Sequence, residues 1–330
     1  MSQAQIFYLC YDHQKPSGGQ KQMYRHVDIL NKHGYRTFAL HVQKGFRLKW
    51  FANDTEVICL EDFRRIYLPD RDIIVLPEDL GEGILNFPGK KVIFNQGVYL
   101  GFYCMGLTKV QAYPYLHPDV KGAIVVSDHN RKYLSFVYPD LKIYRVYNAI
   151  EPEKFRYRSV SDKKKLIACL PAKNLVDLSQ VYHILRSRAH QGINQLKDYE
   201  WIFIENMSEQ NVARAFGSSL IFIFLSTEEG VGRMPLEAML SGSLVVAYNG
   251  GPLPEYLDDK NSFLSERGDV LGIVRDVEKI VQSFNEEKKL LEQVGKAAFE
   301  TASRYSAKRE KESVLKAWEE IQQKLQQGGE

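Results

Sequence analysis

At 330 residues and a net charge of +3, the chain is too long for one ordinary hydrophobic core and too weakly charged to name nucleic acid as its partner. An apolar share of 44% supports well-buried sheets, yet no apolar run approaches the roughly 20 residues of a membrane span. Cys10, Cys59, Cys104 and Cys169 are scattered, with neither a C-x-x-C pair nor a histidine in ligand spacing, which argues against a zinc site and for reduced thiols.

The chain opens without a basic leader and runs into an apolar segment, so a cytoplasmic location, or one at the inner face of a membrane, is expected. Short apolar runs at 6–10, 37–42, 57–60, 73–76, 92–95, 123–127 and 143–146 predict strands. Residues 20–32 predict a helix with Met23, Val27 and Leu30 on one stripe, stopped by Gly34 in the manner of a helix C-terminus. Composition shifts after Tyr147-Asn-Ala-Ile-Glu-Pro, and a second alternating series follows. It has strands at 166–170, 201–205, 220–225 and 244–248, and helices at 175–188, 209–216 and 235–241. Residues 307–326 form a charged helix with Val314, Leu315, Trp318, Ile321 and Leu325 on a broad apolar stripe, a face that normally docks on a neighbour. Alternation of this kind is the α/β signature. Two doubly wound domains are expected, one spanning 1–150 and the other 151–304.

One segment after the strand at 220–225 carries the most chemistry. It reads Ser226-Thr-Glu-Glu-Gly-Val-Gly-Arg-Met-Pro-Leu-Glu, a glycine-bearing turn opening a helix with Pro235 in its first turn, where a missing N–H costs nothing. Glu229 stays in the loop while Glu237 lies within the first turns of the helix. Free N–H groups at such a mouth favour an anion such as a diphosphate, and carboxylates beside it suit the hydroxyls of a ribose or a sugar. The segment resembles the E-x₇-E signature of the retaining GT-B glycosyltransferases, the large family that includes sucrose synthase and bacterial polysaccharide transferases.

Other stretches resemble the same family. Pro16-Ser-Gly-Gly-Gln, with Gly18 and Gly19, is similar to its glycine loop, although a plain turn accounts for two glycines equally well. His26 and His33 fall in a helix and turn similar to the family's own, as packing and surface groups. Phe94-Asn-Gln-Gly lies where many members place a histidine at the catalytic cleft, and Asn95 and Gln96 stand there instead. Ser127-Asp-His-Asn, with Asp128, resembles a motif at the end of a later strand. Tyr147-Asn-Ala-Ile-Glu resembles the interdomain linker. After the strand at 166–170 members carry an Arg and a Lys; Lys173 matches, and Ala172 takes the Arg position.

The resemblance implies a GT-B fold, two Rossmann-like doubly wound domains facing a cleft, with the helix of residues 305–330 crossing back to the N-terminal domain. It implies a retaining, metal-independent glycosyltransferase whose co-substrate is a nucleotide-diphosphate sugar, with no further cofactor and no metal ligand. It makes Glu229 and Lys173 catalytic. Donor-binding positions are Gly18, Gly19, Lys173, Gly230, Val231, Gly232, Arg233, Met234 and Glu237, in the domain 151–304 and the glycine loop. Acceptor-side positions are Asn95, Gln96 and Asp128, in the domain 1–150. The acceptor is a saccharide or a lipid-linked saccharide, in the assembly of a bacterial surface or extracellular polysaccharide. Ala172 and the missing cleft histidine keep a non-catalytic nucleotide-sugar-binding protein in view, and a sugar-nucleotide epimerase is a third reading.

Asp70-Arg-Asp72 is formally a D-x-D metal pair but reads as a solvated strand entry. Neither a G-x-G-x-x-G nor a Walker lysine supports dinucleotide or P-loop chemistry, and neither G-x-S-x-G nor H-E-x-x-H occurs. The stretch from Lys44 to Phe51, Lys-Gly-Phe-Arg-Leu-Lys-Trp-Phe, leaves two readings open. Its aromatics tuck into the N-terminal domain, or its cations and aromatics meet a membrane surface peripherally.

Overall fold

The computed structural model describes residues 3–107 and 112–327; the first two and last three positions of the expected domains lie outside the described residues. The chain divides into two compact units, one reaching Asn148 and resuming at Lys308, the other running Ala149–Ala307.

The first unit is a seven-stranded parallel sheet. Its strands are β1 (Gln5–Leu9), β2 (Arg36–His41), β3 (Val57–Cys59), β4 (Ile73–Pro77), β5 (Lys90–Asn95), β6 (Val120–Val125) and β7 (Ile143–Arg145). They lie in the order β3-β2-β1-β4-β5-β6-β7, so the winding reverses between β1 and β4. Both faces of the sheet are covered, and β1 and β4 are buried throughout, as parallel strands with helices on either side must be. Helices α1 (Gly18–Asn31), α2 (Leu60–Ile66), α3 (Val98–Tyr103) and α4 (Asp128–Val137) connect them. Ser17 caps α1 by accepting from the Gln20 N–H, and beyond its end Gly34 takes the left-handed φ of 84°.

The second unit is a five-stranded parallel sheet of β8 (Lys164–Cys169), β9 (Glu200–Phe203), β10 (Ser219–Phe224), β11 (Leu244–Asn249) and β12 (Phe263–Glu266). The order β12-β11-β10-β8-β9 places its reversal between β8 and β10. Its helices are α5 (Leu175–His190), α6 (Glu209–Ser218), α7 (Arg233–Leu240), α8 (Val270–Glu286) and α9 (Lys288–Ser303). The buried Lys163 ammonium donates to Phe216 O at 2.8 Å, Gly217 O at 3.3 Å and Ser241 O at 2.7 Å. One cation thereby satisfies carbonyls at the C-terminal ends of both α6 and α7 and fixes the helix that carries Glu237.

The last helix, α10 (Ala307–Gln327), packs on the first unit. Its Trp318 is fully buried and donates from Nε1 to the Tyr8 hydroxyl at 2.9 Å. Glu310, equally buried, accepts from Gln22 at 2.6 Å and from the Arg25 guanidinium. Trp318, at the centre of the apolar stripe read in the sequence, is thus seated against β1, and the buried charge of Glu310 is paired by α1, as burial demands. The arrangement is the two-domain α/β architecture of the GT-B fold.

Candidate functional site

Parallel sheets bind ligands beyond the carboxyl ends of their strands where the winding reverses, because flanking loops there diverge to opposite faces and leave a crevice. In the second unit that point is β8 against β10. Cys169 and Ile223 are register partners, so the loops after the two strands leave the sheet side by side. The β8 loop makes a single turn at Pro171–Lys173. Asn174, at φ 112°, then caps α5 by accepting from the Asp177 N–H. The β10 loop runs through Ser226 to Gly232 into α7.

These loops bring Lys173 and Glu229 together. Lys173 Nζ lies 2.7 Å from Glu229 Oε1, and the same carboxylate accepts from Ser226 Oγ at 2.8 Å. Lys173 is half-exposed and Glu229 largely covered, so the pair sits at the rim of the sheet with a free approach from the lysine side. Gly232 turns the chain into α7 at φ 76°. A Cβ there would stand 2.7 Å from both Leu253 Cδ2 and the Tyr256 hydroxyl, and that hydroxyl donates to Gly232 O at 2.6 Å. Glycine is therefore required twice, by backbone conformation and by space.

Helix α7 starts at Arg233, two residues before the predicted start, so Pro235 occupies its third position and still costs no hydrogen bond. Glu237 is 9% exposed, with the Arg233 guanidinium 3.5 Å away one turn back. Arg233 Nε is buried and has no hydrogen-bond partner, an unspent donor at the mouth of the helix. Val231 is buried, while Gly230 and Met234 are partly exposed. Beside the pair lies an open cavity of about 540 Å³ lined by Ala172, Lys173, Asp177, Glu228 and Arg267 among others. Asp177 within it is held by the Tyr248 hydroxyl and the Asn174 amide, both at 2.8 Å.

In the first unit the winding reverses between β1 and β4, and the glycine loop follows β1. Gly18 is exposed and opens α1. Gly19 lies against the Gln96 side chain: a Cβ on it would stand 3.0 Å from Gln96 Nε2. Two positions 77 residues apart, singled out separately in the sequence, thus meet. Asn95 behaves differently. It is 1% exposed, donates to the Tyr115 hydroxyl at 2.9 Å and accepts from the Asn130 amide at 3.0 Å. Its side chain belongs to a buried network beneath the strand ends, not to an accessible surface. Asp128 heads α4, half-exposed and paired with Arg131 at 2.8 Å.

Glu78, directly after β4, is a site residue that the sequence analysis did not single out. It is 4% exposed, accepts from the Gln96 N–H at 2.8 Å, and burial pushes its pKa up to about 8. It underpins the Gln96 turn that faces Gly19. His26 is fully buried beside the Tyr8 hydroxyl and the Phe94 ring, with its pKa drawn down to about 4 by burial, as befits a packing group.

Asp72 is fully buried. Its carboxylate accepts from the Gln5 N–H at 3.0 Å, the Leu68 N–H at 2.9 Å and Arg71 Nε at 2.6 Å. It locks the entry of β4 against β1 and is not the solvated group the sequence suggested. Among the described residues no three His, Cys, Asp or Glu side chains cluster as a metal site would need.

Between Lys44 and Phe51 the aromatics turn inward. Phe46 packs on His41 with ring centres 4.7 Å apart, Phe51 on Tyr24 at 5.7 Å, and Trp50 on Phe51 at 4.6 Å. Leu48 is buried and Arg47 donates to Asn53 at 2.9 Å. Any membrane contact would rest on the exposed Lys44 and Lys49. No helix among the described residues is long and apolar enough to cross a membrane.

The fold and the strand-end site define a two-domain α/β protein of the GT-B kind. Residues 193–301, which include β10, the Glu229–Glu237 segment and α7, match the family Glycosyl transferases group 1. The chain is 27% identical over 133 residues to the alpha-1,3/1,6-mannosyltransferase alg-2 of Neurospora crassa, across 38% of this chain and 28% of that protein. It is 30% identical over 108 residues to the sulfoquinovosyl transferase SQD2 of Arabidopsis thaliana, across 32% and 20%. The matches therefore span less than a third of either relative. Among solved structures, the sucrose-phosphate synthase of Thermosynechococcus elongatus superposes with a TM-score of 0.67 over 97% of this chain and 99% of its own, at 12% identity. The pneumococcal O-GlcNAc transferase GtfA, in complex with UDP and GlcNAc, gives 0.66 over 97% and 99%, at 10% identity. At those identities the superpositions establish the fold alone.

Proposed function

We propose that the protein is a retaining, metal-independent glycosyltransferase. It moves a sugar from a nucleotide-diphosphate sugar to a saccharide or lipid-linked acceptor, in the cytoplasm and in the building of a bacterial surface or extracellular polysaccharide. The observation that carries this reading is the Lys173–Glu229 pair at 2.7 Å at the reversal of the second sheet, beside the mouth of α7. The group 1 match over residues 193–301, which takes in Glu229 and α7, and the two transferase relatives support glycosyl transfer. The UDP-bound neighbour supports a nucleotide sugar as donor.

Transfer builds positive charge on the anomeric carbon and negative charge on the departing diphosphate. Fixed donors aimed at that negative charge lower the barrier most when they need no rearrangement. Lys173, the unspent Nε of Arg233 and the first N–H groups of α7, which Gly232, Arg233 and Met234 present, serve that end. Gly230 and Val231 shape the turn against the donor. Glu229, already anchored by Ser226, accepts from hydroxyls of the donor sugar, and Glu237 accepts from the ribose. The resemblance adds a front-face course in which the leaving phosphate helps deprotonate the acceptor. The second unit is then the donor-binding domain. The first carries Gln96 and Asp128 for the acceptor, with Asn95 holding the turn from below.

A thermal-shift panel of nucleoside diphosphates and nucleotide sugars, followed by donor hydrolysis and transfer assays, tests the proposal. A bound ligand at a hundredfold its Kd adds about 2.7 kcal/mol. If no nucleotide raises the melting temperature and no donor is consumed, the proposal is wrong. Ala172, which leaves the β8 loop with one cation, favours a second reading, a binding protein without turnover. Stabilisation by a nucleotide sugar with neither hydrolysis nor transfer would establish it.

A further inference from the structure

A diphosphate is poorly matched by the β8 loop alone. Lys173 is its one cation, and at 2.7 Å from Glu229 most of that charge is already answered. The cavity beside the pair also carries Asp177 and Glu228, so without a further cation its lining repels an anion. Arg233 answers this need only in part, since it is mostly covered and its guanidinium lies 3.5 Å from Glu237.

Another cation reaches the cavity from a different strand. β12 pairs with β11 in a register that sets Glu266 opposite Asn249, which brings the end of β12 level with the other strand ends. A tight turn follows. The Asp269 N–H donates to Glu266 O at 2.9 Å, Gly268 takes a φ of 84°, and Asp269 caps α8 by accepting from the Gly272 N–H at 2.8 Å. The turn is thus fastened at both ends, and the residue at its tip, Arg267, lines the same cavity as Ala172 and Lys173. Arg267 is exposed. Among the described residues it makes no ion pair, unlike Lys173, Arg233 and the nearby Arg275, which lies 3.6 Å from Asp269.

We propose that Arg267 is a further diphosphate-binding cation of this site, supplied by the β12–α8 turn to a cavity whose β8 loop brings only Lys173. The inference rests on the nucleotide-sugar reading above. A guanidinium presents parallel N–H donors to phosphate oxygens, and the capped turn removes the backbone share of the ordering cost when it engages. Arg267 meets the phosphates from the β12–α8 turn while Lys173 meets them from the β8 loop, and Glu228 and Asp177 favour ligands bringing at least two negative charges.

Calorimetric titration of the full chain tests this with two probes, a nucleoside diphosphate and its parent nucleoside. The variants are Arg267→Ala, Arg267→Lys and Arg233→Ala, each checked for an unchanged ligand-free melting temperature. Arg267→Ala is expected to weaken the diphosphate by about 10- to 100-fold, to leave the nucleoside unchanged and to flatten the salt dependence; Arg267→Lys is expected to recover part of the loss. If the wild-type protein binds the diphosphate and Arg267→Ala binds it equally well, or loses diphosphate and nucleoside alike, the proposal is overturned while the nucleotide-sugar reading stands. If the loss appears in Arg233→Ala and not in Arg267→Ala, the role belongs to Arg233. If the wild-type protein binds neither probe, the parent reading falls and this one with it.

Discussion

Raising the pH is expected to weaken the first unit through one carboxyl group. Glu78 is 4% exposed, and Gln96 donates to it from the backbone at 2.8 Å. That bond favours the ionised form, but burial outweighs it and holds the proton on, moving the pKa from 4.5 to about 8. Between those two values the folded protein binds the proton and the unfolded chain does not. Stability from this group is therefore fully present below pH 4.5 and falls as pH rises toward 8, at about 1.4 kcal/mol per unit. The full separation, about 3.5 units, corresponds to a loss on the order of 5 kcal/mol. Glu78→Gln keeps the size and the acceptor for Gln96 but cannot ionise, so it should match the wild type near pH 5 and exceed its stability by several kcal/mol at pH 8.5. Urea unfolding read by tryptophan fluorescence in a Trp201→Phe background reports this unit alone, because Trp50 and Trp318 both lie in it. Parallel stability–pH curves for wild type and Glu78→Gln would refute the reasoning.

If the proposed site is right, the two carboxylates should separate kinetically: Glu229→Gln is expected to lower kcat and Glu237→Ala chiefly to raise the donor KM. Wild-type steady-state kinetics in both variants would remove the site. Gly232→Ala is expected to cost at least about 1–3 kcal/mol, since alanine meets Leu253 and Tyr256 at 2.7 Å and disfavours φ 76°; fluorescence of Trp201 during unfolding measures it, and an unchanged midpoint would contradict the packing described. Transfer is expected to persist in excess EDTA, because the Asp72 carboxylate is spent on Gln5, Leu68 and Arg71; activity abolished by the chelator and restored by Mn²⁺ would show the opposite.

The strands buried on both faces were the plainest in the sequence, and the edge strands β3, β7 and β9 were read as well. β10, Leu220 to Phe224 above all, reads as an unbroken apolar run because helices cover it on either side. β12 was not legible for the converse reason: Phe263-Leu-Ser-Glu is an edge strand with one buried residue, Ser265, and carries no pattern to set it apart from a loop. Burial of polar groups was harder still to read. Asn95 looks like a site residue until Tyr115 and Asn130, 20 and 35 positions away, close around it. Glu78 looks like a surface acid until the turn at Gln96 buries it. The spacing of Glu229 and Glu237 could be read locally, since both lie on one turn and helix. The pairing of Glu229 could not. Lys173 meets Glu229 only because β8 and β10 lie adjacent with β9 set outside them, and Arg267 reaches the same cavity only because β12 ends in register with β11. A charge missing from one loop, such as that at Ala172, therefore says little by itself. In a parallel sheet every strand delivers its following loop to the same edge, and a cation can return to the site from a strand a hundred residues away.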